Sequence, residues 1–162
     1  MDSKSHYLKH FKDEHRHRLK NAKEYRELAI VALNVLANMP KPIGQVCGPI
    51  STGGLGSIEK NLEVFEKTVH KLIDQGNNIF NQMPFEEPMQ DIRKNSKKVH
   101  PQETNLELLE EFYNPVFESG YVEVLYFIPG WESSQGAKWE REQARRLGIK
   151  IIDLPKDFLE RP

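Results

Sequence analysis

The stretch that most constrains the fold is VEVLYFIPGWESSQGAKWEREQARRLGIKII, residues 122–152. An apolar β-prone run leads through Pro-Gly and two serines into a segment of helical periodicity, then into a second β-prone run. Two strands joined by a helix cannot pair as a hairpin. The helix carries the chain back across the sheet, so the strands are parallel. Runs such as VLYFI suit central strands covered on both faces.

A second unit of this kind lies upstream. IGQVC (43–47) reads as a strand, GPISTGGLGS (48–57) as a turn-rich loop, and 58–76 as a helix ending at Gly76. Ile58, Leu62, Phe65, Val69 and Leu72 share one face of that helix. NNIFN (77–81) reads as the returning strand. Residues 5–38 recur at three- and four-residue steps (Leu8, Phe11, His15, Leu19, Ala22, Tyr25, Ala29, Leu33, Leu36), which predicts one long helix ended by Pro40 and Pro42. Its polar first half is expected to project or to meet a partner chain. The polar stretch 82–105 holds Pro84, Pro88, Pro101 and the basic run RKNSKKVH, and reads as a lid or a disordered connection. A short helix, NLELLEEFYN (105–114), precedes the strand at 121–128, and IKIID (149–153) is the last strand.

This order predicts an α/β fold: a flavodoxin- or Rossmann-like three-layer sandwich, with a parallel sheet of four to five strands and an extra N-terminal helix. The expected division is a helical extension over 1–40 and the α/β domain over 41–162. A chain of 162 residues fits one core.

Charge and composition exclude several classes. The formal net charge is −1, so nonspecific nucleic-acid binding is not expected, and the cations of residues 1–26 read as the wet face of a helix. No apolar run approaches the ~20 residues of a membrane span, and the N-terminus lacks the apolar core of a secretory signal. The single cysteine, Cys47, permits no intramolecular disulfide and no cysteine-based zinc site. A reducing, cytoplasmic location is the expectation. His6, His10, His15 and His17 show no carboxylate–histidine spacing, so no metal is expected. Cys47, with no histidine at a visible spacing, reads as a buried structural thiol.

In an open parallel sheet ligands bind beyond the carboxyl ends of the strands, where loops feed helix N-termini. GPISTGGLGS and PGWESSQGA both belong to that edge. Their glycines allow close backbone approach, and hydroxyls with helix N–H groups suit a sugar or phosphate. The first loop has no Gly-Lys-Ser/Thr, and Gly54-x-Gly56-x-x is followed by Glu59, so neither a P-loop nor a dinucleotide fingerprint is present.

Helix geometry separates the glutamates of the second loop. With Ser133 or Ser134 as cap, Gly136, Ala137, Glu140, Gln143, Ala144 and Leu147 share the face expected on the sheet. Glu142 points away, toward Arg145 and Arg146 as an expected surface pair. Glu140 is thus an inward carboxylate above the strand ends, costly to bury without a role. Gly136, one turn earlier, leaves room above it. A structural hydrogen bond to the first loop would also account for Glu140. Glu132, in the loop itself, could act as an acid, cap a turn or face water.

Two of these motifs resemble a known superfamily. CGPISTGG (47–54) resembles the first loop of the nucleoside 2-deoxyribosyltransferase-like proteins. SQGAKWE (134–140) resembles their Ser-x-Gly-x-x-aromatic-Glu signature, shared with the 2'-deoxynucleoside 5'-monophosphate N-glycosidases. The frame from Val124 to Ile152 is similar to a branch of small bacterial and phage domains with Pro-Gly-Trp, a Ser-x-Gly-Ala turn and a helical Glu. The resemblance covers about residues 43–154.

The resemblance implies that Glu140 is the nucleophile that displaces the base from a nucleoside or nucleotide. It implies that Ser134 and Gly136, with Gly48, Ile50, Ser51, Gly53 and Gly54, hold the sugar and phosphate. It also implies no cofactor, and a homo-oligomer whose protomers complete one another's sites. The chain departs from the glycosidases at Gly48-Pro49-Ile50-Ser51, where they carry Gly-Ser-Ile-Arg, so two phosphate donors are missing. Glu123 stands for the acidic residue that opens the third strand, while the aspartate near the departing base has no match. Arg93, Lys97 or Lys98 could replace the lost charge. The expected function is N-glycosidic bond cleavage or transfer. The competing expectations are a binding module that has lost turnover and a helix-mediated assembly protein.

Overall fold

The computed structural model describes residues 6–96 and 101–162. The chain divides into two compact units, Met1–Met39 with Asn81–Tyr121, and Pro40–Phe80 with Val122–Pro162. It passes between them at Met39/Pro40, Phe80/Asn81 and Tyr121/Val122.

The first unit is helical. Its elements are α1 (Asp13–Asn21) and α2 (Tyr25–Ala37) from the N-terminal segment. The expected single helix over 5–38 is therefore broken at Ala22–Glu24, and Ser5 lies outside the described residues. Packing supplies the reason. The residues buried in α1 (His15, Leu19) and those buried in α2 (Tyr25, Leu28, Ala29, Val31, Ala32, Val35, Leu36) would point about 130° apart on one straight helix. The break turns both faces inward, so the polar first half folds back instead of projecting. His15 is buried, accepts the Lys12 N–H at 3.0 Å and meets Asn34 Oδ1 at 2.7 Å.

Residues 82–105 are not the unstructured connection that their prolines predict. They carry α4 (Met83–Lys94) and the start of α5 (Pro101–Leu108), separated in chain order from α1 and α2 by the elements of the second unit. Pro84 sits in the first turn, where no intrahelical N–H is needed. Lys97 and Lys98 lie outside the described residues, and Arg93 is on α4. The short helix expected at 105–114 is part of a longer helical run, α5, a π-helical segment (Leu109–Tyr113) and α6 (Asn114–Glu118). Phe11, Phe85, Phe112 and Tyr113 form an aromatic chain through this unit, with successive ring centroids 4.9–5.8 Å apart.

The second unit is the parallel sheet, β1 (Ile43–Cys47), β2 (Val122–Phe127) and β3 (Lys150–Asp153), in the order β1-β2-β3. It also carries α3 (Ile58–Asp74) after β1 and α7 (Gln135–Leu147) between β2 and β3. The strand expected at 77–81 is reduced to one parallel bridge, Gly44 with Ile79, made by Gly44 N–H to Asn78 O and Phe80 N–H to Gly44 O, both 2.8 Å. Among the described residues the sheet is thus three strands and a bridge, against the four to five expected. All five residues of β1 are buried. β2 is less covered, with Glu123 exposed and Val124 and Tyr126 half-buried.

The bridge matters for position. β1 is flanked by Ile79 on one side and by β2 on the other, so the chain's direction across the sheet reverses at β1. The carboxyl ends of β1 and β2 therefore mark a topological switch point, the position at which α/β sheets place their ligands.

Candidate functional site

Cys47 and Phe127 are paired at the carboxyl ends of β1 and β2. The loop 48–57 leaves one end and the loop 129–134 leaves the other. The second loop turns at Gly130 (φ +86°), makes a 3-10 turn over Trp131–Ser133 and enters α7 at Ser134. Ser134 is the cap: its Oγ accepts the Ala137 N–H at 3.1 Å, and the residue is buried. Ala137, Glu140 and Ala144 are the buried residues of α7, the face that periodicity predicts. Glu142 is exposed, as its outward position on the helix predicts, and Arg146 donates to Gln143 Oε1 at 2.7 Å.

Glu140 is 7% exposed, and the Cys47 thiol donates to its Oε2 at 3.2 Å. Burial pushes the thiol well above its usual range, and the adjacent Glu140 charge pushes it further. Cys47 is therefore an S–H donor at neutral pH and not a thiolate. This contact joins the end of β1 to the first turns of α7 across 93 positions of sequence.

The two loops are also joined directly. Gly54 N–H donates to Ser133 Oγ at 2.8 Å, and Gln135 N–H to Thr52 Oγ1 at 3.2 Å. Gly53 has φ +69°, and a Cβ there would lie 2.1 Å from Ser133 O, so only glycine permits this approach. Asn61, buried on α3, holds the first loop from beneath. Its Nδ2 donates to Ile50 O (2.9 Å) and Gly53 O (3.1 Å), and its Oδ1 accepts the Leu55 N–H (2.9 Å). Gly48 answers to packing: a Cβ would come within 2.8 Å of Ile128. Ser51 is exposed. A Cβ at Gly136 would meet only Ser134 Oγ, at 3.9 Å, so there is space at this point of the helix.

Arg141, next to Glu140, fixes the rotation of α7. Its guanidinium makes two bonds to Asp153 at the end of β3 (2.7 and 3.0 Å) and lies 4.8 and 4.3 Å from the Phe127 and Trp131 ring centroids. The paired guanidinium holds the Asp153 carboxyl below its usual range. Glu132 is exposed in the loop.

The candidate residues Glu140, Ser134, Gly136, Gly48, Ile50, Ser51, Gly53 and Gly54 thus all belong to the second unit, on or beside the two loops. Cys47 as partner of Glu140, Thr52 as latch and Asn61 as anchor were not selected by sequence reasoning. Asn61 carried a signal, an amide on the apolar face between Ile58 and Phe65. A family model described as a domain of unknown function, DUF4406, matches residues 45–153, which span β1 to β3 and both loops. No curated protein and no solved structure matches the chain.

Proposed function

Taking as premise that the chain belongs to the DUF4406 family, a domain of unknown function, we propose that it cleaves or transfers the N-glycosidic bond of a nucleoside or nucleotide. The observation that carries the reading is Glu140, a carboxylate buried at the switch point beneath two latched, glycine- and hydroxyl-rich loops. In this reading the carboxylate attacks the anomeric carbon. The C–N bond breaks, its electron pair passes to the base, and the base takes up a proton from solvent, which the second step returns when its nucleophile is deprotonated. Water or a second base then displaces the carboxylate from the glycosyl ester. The Cys47 thiol orients the nucleophile by holding Oε2. Ser134 and Gly136 stand on the sugar side, and the turn from Gly48 to Gly54, with Ile50 and Ser51, forms the opposite wall. Neither 48–57 nor 129–137 contains a lysine or arginine, so an uncharged nucleoside is the first substrate to assay.

The finer architecture belongs to the same proposal. The strand order around β1 supports a flavodoxin-like sheet in which the Asn78–Phe80 segment is a fourth strand, within a three-layer sandwich. A reducing, cytoplasmic setting suits a free thiol next to the nucleophile.

The test is base release or base exchange over a nucleoside and nucleotide panel, comparing wild type with Glu140→Gln. The amide keeps the shape and loses the nucleophile, so turnover should fall by about 10³-fold or more with the fold intact. An unchanged rate in the variant, or no turnover by wild type with any member of the panel, overturns the reading. A second reading, a nucleotide-binding module without turnover, is favoured by one observation, the low exposure of Glu140 behind the latched loops. It predicts a ligand-induced rise in melting temperature without product.

A further inference from the structure

The first unit carries a groove that the glycosidase reading does not use. It runs between α1 and α4, has a volume of about 510 Å³, and is floored by Leu19, Pro88 and Ile92. Its rims differ in sign. Arg16, Lys20 and Lys23 stand along the α1 side, and Glu87 and Asp91 along the α4 side, all five exposed. Among the described residues no ion pair joins the two rims. α1 precedes the family match at residue 45, so one wall of the groove lies outside the matched segment and the other within it.

A face that is basic on one side and acidic on the other is complementary to itself under a two-fold rotation. The rotation brings the α1 rim of one copy against the α4 rim of the other, twice, so that opposite charges pair along both sides of the seam. We propose that this groove is an isologous interface, at which a second copy of the chain docks its own α1 and α4. A foreign partner would have to supply both signs in the same order, whereas a second copy carries them by construction. Each protomer contributes two helices, and the product is a four-helix contact.

The arrangement makes a test with a specific sign. The variant Arg16→Glu/Lys20→Glu turns the basic rim acidic, and Glu87→Lys/Asp91→Lys turns the acidic rim basic. All four positions are exposed, so the fold should survive, as circular dichroism would check. By sedimentation or light scattering, the full chain is expected to be dimeric at low salt and to dissociate as salt rises. Each double variant alone should be monomeric, with dimerisation weakened by about tenfold or more. Mixed in equal amounts, the two variants should pair, because each rim then meets its opposite twice. A wild type that is monomeric at every concentration overturns the proposal and leaves the groove to another occupant. A wild-type dimer that neither variant disrupts, or two disrupted variants that fail to pair on mixing, also overturns it.

Discussion

Two buried acidic side chains show how position decides the chemistry of one residue type. Glu140 has a thiol donor and stands at the strand ends, whereas Glu86 lies in the helical unit, 7% exposed. Glu86 accepts from Gln82 Nε2 at 3.0 Å, and the same amide nitrogen donates to Tyr113 Oη at 3.1 Å. Burial raises the Glu86 carboxyl to about 7, and the Gln82 amide opposes the rise only in part. Between pH 4.5 and about 7 the unfolded chain has lost this proton while the folded chain retains it. Stability therefore falls as pH rises through that window and levels off above it, a change of up to about 3 kcal/mol. Glu86→Gln removes the titration. Urea midpoints of wild type and variant should separate progressively from pH 4.5 to 7, with the variant gaining. Parallel curves would show that folding leaves the titration of Glu86 unshifted, and would overturn the prediction. The inward placement of Glu140 was legible in the sequence, because periodicity on α7 needs only local geometry. Its thiol partner was not, since no pattern links positions 93 residues apart before the sheet brings them together.

At the scale of elements, the first loop takes its shape from α3 and from the second loop more than from its own glycines. Asn61 makes three of its bonds, and removing it leaves two carbonyls and one N–H to find other partners. Asn61→Ala should destabilise by about 2 kcal/mol and release the loop locally. Amide exchange at Leu55 is expected to accelerate while the β1 amides keep their protection. Leu55 protected as in wild type would show that the latch to Ser133 and Thr52 suffices. Most helices were legible as elements though their ends were not, and the helix at Met83–Lys94 was read as a connection. The break at Ala22–Glu24 exists because α1 and α2 must bury faces of different phase. The helix at Met83–Lys94 forms despite two prolines, one of them in the first turn where it does little harm.

At the scale of the molecule, the division into units follows contacts and not chain order. Residues 1–39 share a unit with residues 81–121, so the N-terminal segment is half of a core. Deletion of residues 1–39 would remove Phe11 from its edge contact with Phe85 (5.8 Å) and strip α1 and α2 from the remaining helices. The truncated chain should bind a hydrophobic dye and lose its cooperative thermal transition. A truncated chain that still melts cooperatively near the wild-type temperature would mean that α4–α6 hold together without it. The sequence by itself determined the parallel strand–helix alternation, the two loops at one sheet edge and the inward turn of Glu140. Each of these follows from periodicity and turn chemistry within about 30 residues. Only the tertiary structure decided that Cys47 meets Glu140, that Asn61 and Ser133 hold the first loop, and that the N-terminal helices join residues 81–121. Those contacts depend on which faces find one another when the chain closes, and burial rewards the match without leaving a local signature in the sequence.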